Sequence, residues 1–143
     1  MILYLDTSAL VKVYVTEPFR EPVVSAMQEA EAVACHTITY VEAHAAFARA
    51  LNEGKLTEGQ HEDVKREFRA DWESYLQVGT SQSLIQRAAD LAEAFHLHAY
   101  DSVHLTAADV LHAQSGETVL FACFDRKLNR AAAVLGLSSL KLG

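Results

Sequence analysis

The sequence lacks the features that usually mark membrane, secreted or disulfide-bonded proteins. No apolar run approaches the ~20 residues needed to cross a bilayer, and the start has no basic segment followed by a signal-peptide cleavage site. The two cysteines, Cys35 and Cys123, each lie in an apolar, strand-like run and form no C-x-x-C motif. We therefore expect a cytoplasmic protein with no membrane span and with two buried, unpaired thiols.

Common catalytic and nucleotide-binding motifs are also missing. The chain has no G-x-x-x-x-G-K-[ST], no G-x-G-x-x-G and no G-x-S-x-G, which disfavours the commonest nucleotide-binding folds and the nucleophile-elbow hydrolases. Seven histidines are present without an H-E-x-x-H motif. The spacing of His98, Asp101 and His104 would place them on one helix face, but His98 flanks a turn, so histidine-bound zinc is disfavoured.

Positive charge is scarce as well. The chain has 12 Lys and Arg against 19 Asp and Glu, a formal net charge of -7. A protein that binds nucleic acid by electrostatics alone carries a basic face. If this chain acts on nucleic acid, cations must offset the acids at the site and the basic residues must be grouped locally. A basic protein partner would also suit this charge.

The first residues, "MILYLDTSAL", show what the chain does contain. Ile2 to Leu5 form a continuous apolar run typical of a strand that is buried on both faces of a parallel sheet. Asp6 follows at once, and Thr7 and Ser8, which are good helix N-cap types, precede an apolar helix start. Asp6 is therefore predicted to lie on a strand-to-helix turn, at the edge where open α/β sheets bind ligands.

The rest of the chain continues this alternation of strands and helices. No repeat, low-complexity tract or linker interrupts it, so we predict a single domain over residues 1–143. Further strands are predicted at about 32–35, 75–78 and from 118, and further helices from 22 and at about 40–52, 57–73, 83–95, 100–114 and 125–135. Because parallel strands need crossover connections, this order predicts a three-layer α/β/α fold with a mostly parallel central sheet.

Four acids fall at predicted strand ends or helix starts: Asp6, Glu42, Asp101 and Asp125. Each also has a structural explanation. Asp6 and Asp125 could cap the helices that follow them, Glu42 could complete a capping box with Thr39, and Asp101 could favour the positive end of a helix dipole. Together, however, they would gather at one sheet edge. Clustered carboxylates repel, so this pattern predicts a cation with hard oxygen ligands, Mg²⁺ or Mn²⁺.

Four segments carry a resemblance to a known family. They are "YLDTSALVKVY", "TITYVEAHAAFAR", "HLHAYDSVHLTAA" and "LFACFDRKLNRAAAVLGL". In this order and spacing, over nearly the whole chain, they resemble the PIN-domain ribonucleases, and within them the VapC-type toxins of toxin-antitoxin pairs. The resemblance implies a Mg²⁺- or Mn²⁺-dependent endoribonuclease that hydrolyses RNA phosphodiester bonds and leaves a 5′ phosphate.

The resemblance also implies roles for individual residues. The acidic site falls on Asp6, Glu42, Asp101 and Asp125, with Asp6 and Asp101 as direct metal ligands and Glu42 positioning water or a second ion. Thr7 and Ser8 supply hydroxyls beside the first acid. The family usually has Thr or Ser two residues before its last acid, and this chain has Cys123, a weaker hydrogen-bonding group.

Partners follow from the same resemblance. It implies an antitoxin whose basic C-terminal segment reaches the acids, and a homodimer. Arg126, Lys127 and Arg130, which follow Asp125, are candidates for RNA phosphate contacts, although a solvated helix face also explains them.

Two other functions stay open from the sequence. An acid after the first strand also occurs in haloacid dehalogenase-like phosphatases, but these need a second Asp two residues later, where this chain has Ser8. A non-catalytic PIN-like binding module is the other alternative.

Overall fold

The computed structural model describes residues 1–15 and 18–140, which form five strands and seven helices. The strands are β1 (Ile2–Leu5), β2 (Ala32–His36), β3 (Leu76–Val78), β4 (Val119–Ala122) and β5 (Ser138–Ser139). The helices are α1 (Thr7–Tyr14), α2 (Arg20–Glu29), α3 (Thr39–Asn52), α4 (Glu58–Trp72), α5 (Gln82–Phe95), α6 (Ala99–Ser115) and α7 (Arg126–Val134). Within these residues, no helix is both long enough and apolar enough to cross a membrane.

All five strands of the described residues belong to one parallel sheet with the order β3-β2-β1-β4-β5. The first strand of the sequence is the central one, and Ile2 pairs with Ala32 on one side and with Val119 on the other. Helices cover both faces, which explains why the inner strands are continuous apolar runs. The predicted three-layer α/β/α fold is confirmed.

Alternate residues of β1 build the two halves of the core. Tyr4 packs with residues of α5, α6 and α7, whereas Leu3 and Leu5 pack with residues of α1 to α4. All three side chains are fully buried. A one-residue shift of β1 would exchange the two sets, so the packing of both layers fixes the register of the central strand.

The sheet topology determines where a ligand can bind. The chain leaves β1 toward β2 and later returns to the other side of β1 as β4. The carboxyl end of β1 is therefore a topological switch point, where open parallel sheets form a crevice. Asp6 lies at this point, and its backbone N–H donates to the carbonyl of Ala122, the last residue of β4, at 3.1 Å.

One local prediction can be tested on stability alone. The predicted capping box of α4 is present, since Thr57 Oγ1 accepts from the Gln60 N–H and Gln60 Oε1 accepts from the Thr57 N–H. We expect Thr57→Ala to lower the free energy of unfolding by about 1 kcal/mol, the usual loss for an N-cap. Urea melts would measure it, with the exposed Ser83→Ala as a control. Equal stability of Thr57→Ala and wild type would contradict the assignment.

Candidate active site

A cleft of about 610 Å³ opens at the carboxyl end of β1. It brings together side chains from α1, α3 and α6 that are far apart in sequence. Its polar lining includes Asp6, Thr7, Ser8, Glu42, Asp101 and His104. Three of the four predicted acids, and both predicted hydroxyls, thus share one cleft.

Asp6 is the N-cap of α1 and is 6% exposed. Its Oδ1 accepts from the Ser8 hydroxyl at 2.7 Å and from the Ala9 N–H at 2.9 Å. Burial raises the pKa of this carboxyl and the charge of Asp101 adds to the rise, whereas His104 and the two hydrogen bonds oppose it. Within residues 1–15 and 18–140, Oδ2 accepts no hydrogen bond, so one oxygen holds the helix start and the other is available to a ligand.

Glu42 lies in the first turn of α3, but the capping box considered from the sequence does not form. The N-cap of α3 is Ile38, and Thr39 Oγ1 is buried without a hydrogen-bond partner among the described residues. Instead, Glu42 Oε1 accepts from Thr7 Oγ1 at 2.7 Å and from His104 Nε2 at 2.8 Å. Burial by itself would raise the pKa of Glu42, but these two hydrogen bonds, together with the electrostatic influence of His104 and His36, outweigh it and lower the pKa. Glu42 is therefore held as a carboxylate by residues of the site.

Asp101 lies in the first turn of α6, as the sequence predicted. Burial raises the pKa of this partly buried carboxyl, and the charge of Asp125 raises it further. Asp101 thus interacts electrostatically with Asp6 and with Asp125. A helix dipole alone would lower the pKa of an acid at this position, whereas burial and the neighbouring carboxylates raise it.

Asp125 is the N-cap of α7, and its Oδ1 accepts from the Leu128 N–H at 3.0 Å. It is not among the residues that line the cleft, although its charge reaches Asp101. Cys123 Sγ donates to Asn129 Oδ1 at 3.2 Å, and Asn129 Nδ2 donates to the Cys123 carbonyl. Burial raises the pKa of Cys123 to about 12, so it stays a neutral thiol. It thus helps to hold the turn that carries Asp125.

The donor set fits a hydrated hard cation better than a closed metal cage. Among the residues that the structure describes, no three or more His, Cys, Asp or Glu side chains are already arranged to hold a metal ion. Mg²⁺ does not need such a cage, because it keeps several waters and is usually bound through one or two carboxylates. Asp6 and Glu42 each use one carboxylate oxygen for protein hydrogen bonds. The second oxygens would suit such an ion.

The basic lining of the cleft differs from the predicted phosphate contacts. Arg126, Lys127 and Arg130 lie on α7 and are not among the lining residues. The cleft is instead lined by the basic side chains of Lys12, Arg49 and Lys55. The sequence spacing could have indicated two of them. Lys12 follows Ser8 by one helical turn and Arg49 follows Glu42 by two, so each lies on the same helix face as a residue of the site.

His104 is the residue of the site whose role the sequence did not indicate. It is 3% exposed and lies one turn after Asp101 on α6, among the buried residues Leu105 and Ala108. Its spacing suggested only a comparison with zinc sites. The sequence does contain one signal for such a role, since His104 lies in a helix segment of small and apolar residues and is therefore expected to be buried. A buried imidazole needs hydrogen-bond partners, which points to polar side chains nearby.

Comparisons with known proteins agree with the fold. The sequence matches the PIN domain family over residues 3–134. It is 30% identical over 135 residues to ribonuclease VapC45 of Mycobacterium tuberculosis, covering 94% of this chain and 92% of that protein. The fold is similar to VapBC2 from Rickettsia felis bound to a promoter DNA fragment, with a TM-score of 0.69, 12% identity and 100% of both chains covered. It is also similar to a toxin-antitoxin complex from Klebsiella pneumoniae, with a TM-score of 0.63, 16% identity and 89% of each chain covered.

Proposed function

This chain belongs to the PIN domain family, and from that premise we propose that it is a metal-dependent endoribonuclease that acts as the toxin of a toxin-antitoxin pair. The observation that carries the proposal is the convergence of Asp6, Glu42 and Asp101 in one cleft at the topological switch point of the sheet. Carboxylates gathered from three helices suit a divalent cation and a phosphodiester substrate better than they suit helix capping.

The four acids would have different roles, which follow from their surroundings. Asp6 and Asp101 would bind the Mg²⁺ or Mn²⁺ ion, since both carboxyls are destabilised in their ionised form by burial and by neighbouring charge. Glu42, already a carboxylate, would orient water or hold a second ion through Oε2. Asp125 would contribute mainly through its charge on Asp101. A bound cation would supply an acidified water and would neutralise charge on the reacting phosphate.

Because the chain has a net charge of -7, binding of the RNA backbone requires basic side chains close to the site. Lys12, Arg49 and Lys55 line the same cleft as the acids and would contact phosphates next to the scissile bond. Arg126, Lys127 and Arg130 stay candidates for contacts farther along the strand. The positive charge would then be local, as an acidic nuclease requires.

The partner would be an antitoxin with a basic C-terminal segment. Similarity of the fold to a toxin-antitoxin complex supports this, and an acidic cleft would accept a lysine or arginine side chain in place of the metal. We further propose that the protein forms a homodimer and acts in the cytoplasm, where its RNA substrate is found.

The test is a cleavage assay on purified protein freed of its antitoxin. We expect single-stranded RNA to be cut with Mn²⁺ or Mg²⁺ and to stay intact with EDTA, with a 5′ phosphate on the downstream product. A small phosphate ester in parallel distinguishes the alternatives. Release of phosphate from the ester without RNA cleavage would indicate a phosphatase, and RNA binding without cleavage under any metal would indicate a binding module.

A further inference from the structure

A chain of two hydrogen bonds, the first buried and the second partly buried, runs from the central strand to Glu42. Tyr4, which is fully buried at the end of β1, has its hydroxyl 2.8 Å from His104 Nδ1. On the other side of the ring, His104 Nε2 is 2.8 Å from Glu42 Oε1. The chain connects β1, α6 and α3, and so links the central strand to two of the helices that line the cleft.

The direction of these hydrogen bonds follows from the acceptor at the end. The Glu42 carboxylate can only accept, so His104 Nε2 donates to it whether the ring is neutral or protonated. With a neutral ring, Nδ1 accepts from the Tyr4 hydroxyl. Burial raises the pKa of Tyr4 well above its ordinary value, so the hydroxyl keeps its proton and can donate.

Both donors to Glu42 use the same oxygen. Thr7 Oγ1 donates to Oε1 from α1, and His104 Nε2 donates to Oε1 from α6. Among residues 1–15 and 18–140, Oε2 accepts no hydrogen bond. A glutamate side chain has three rotatable bonds, and two donors from different helices on one oxygen fix the orientation of the other.

We propose that His104, held in place by Tyr4, is a positioning residue that fixes Glu42 Oε1 so that Oε2 faces the cation or the water that it coordinates. This inference rests on the proposed nuclease function. A merely structural role is a poor explanation, because an apolar side chain at 104 could fill the space beside the Tyr4 ring, 6.0 Å from that of His104, without needing partners at both ring nitrogens. Groups that orient metal-binding carboxylates typically change metal affinity or activity by about 10- to 100-fold when removed.

The test compares four variants for Mn²⁺ affinity by calorimetry and for kcat and KM on RNA. His104→Leu removes both ring nitrogens, and we expect it to weaken Mn²⁺ binding by about 10-fold or more. His104→Gln keeps a donor near the position of Nε2 and should recover most of the affinity. Tyr4→Phe removes only the hydroxyl and should weaken Mn²⁺ binding less than His104→Leu does, with a smaller loss of kcat as well.

Thr106→Val is the matched control. Thr106 is buried on the same helix, donates to the Ser102 carbonyl at 2.7 Å and is not among the residues that line the cleft. It should lower the melting temperature without changing Mn²⁺ affinity. If His104→Leu fails to fold, Tyr4→Phe and His104→Gln still decide the question.

The possible failures can be told apart. Wild-type protein that binds no Mn²⁺ and cuts no RNA would overturn the proposed function and this inference with it. Wild-type protein that binds Mn²⁺ while His104→Leu or Tyr4→Phe binds it equally well would overturn the positioning role alone. An equal loss of affinity in Thr106→Val would also overturn it, because the effect would then follow from reduced stability.

Discussion

Asp6→Asn should abolish RNA cleavage while leaving the fold intact. The amide has the shape of the carboxylate, and Asn is as good an N-cap as Asp, so its oxygen can still accept from the Ala9 N–H and the Ser8 hydroxyl. What is lost is one negative oxygen toward the cation. Metal stabilisation of the transition state is worth several kcal/mol, so we expect cleavage to fall by about 10³-fold or more. Single-turnover cleavage in Mn²⁺ would measure it.

The matched control removes the same charge away from the cleft. Asp63 is exposed on α4 and pairs with Arg66, one turn away, at 3.0 Å. Asp63→Asn should cleave RNA at the wild-type rate. Undiminished cleavage by Asp6→Asn, with a normal circular dichroism spectrum, would reject Asp6 as a metal ligand and with it the site at the end of β1.

The inner strands and the site edge could be predicted because local sequence determines them. β1, β2 and β4 are short apolar runs separated by helices. This pattern is typical of parallel strands that helices cover on both faces of a sheet. The position of Asp6 after β1 followed directly. β5 could not be predicted, since Ser138–Ser139 is a two-residue strand that exists only through its pairing with β4.

The partners of the acids were the part that sequence could not supply. The sequence offered Thr39 as the partner of Glu42, three residues away, but the folded chain provides Thr7 and His104 instead. These contacts span 35 and 62 residues, so they depend on how α1, α3 and α6 pack around the sheet. Capping rules predict partners within the same helix end. When the helix end lies in a site, donors from other helices can take the place of those local partners.

The second prediction concerns the stability of Asp101→Asn. It distinguishes a metal ligand at position 101 from a residue that only stabilises the start of the helix. In EDTA, Asp101→Asn should melt higher than wild type, because burial and the charge of Asp125 both disfavour the ionised carboxyl. A difference of about 1 kcal/mol would raise the melting temperature by roughly 3 °C in a protein of this size. A carboxylate that only served the helix dipole would behave oppositely, since its loss would cost up to about 1 kcal/mol.

The pH dependence of this difference has a definite sign. Asp101 has a pKa raised from 3.8 in the folded protein, so the penalty for its charge is present at neutral pH and is relieved by protonation. The advantage of Asp101→Asn should therefore be largest above the folded pKa. It should disappear as the pH falls to the ordinary value of an aspartic acid. Melts at several pH values in EDTA would follow it.

Added metal should reverse the order of the two proteins. At a Mn²⁺ concentration of about 100 times the dissociation constant, binding stabilises the wild type by about 2.7 kcal/mol, or roughly 8 °C. Asp101→Asn, which lacks a ligand, should gain much less, so wild type should melt higher in Mn²⁺ and lower in EDTA. An Asp101→Asn protein that melts below wild type in EDTA and responds equally to Mn²⁺ would mean that Asp101 only starts a helix. The cleft would then have lost the acid whose charge raises the pKa of Asp6.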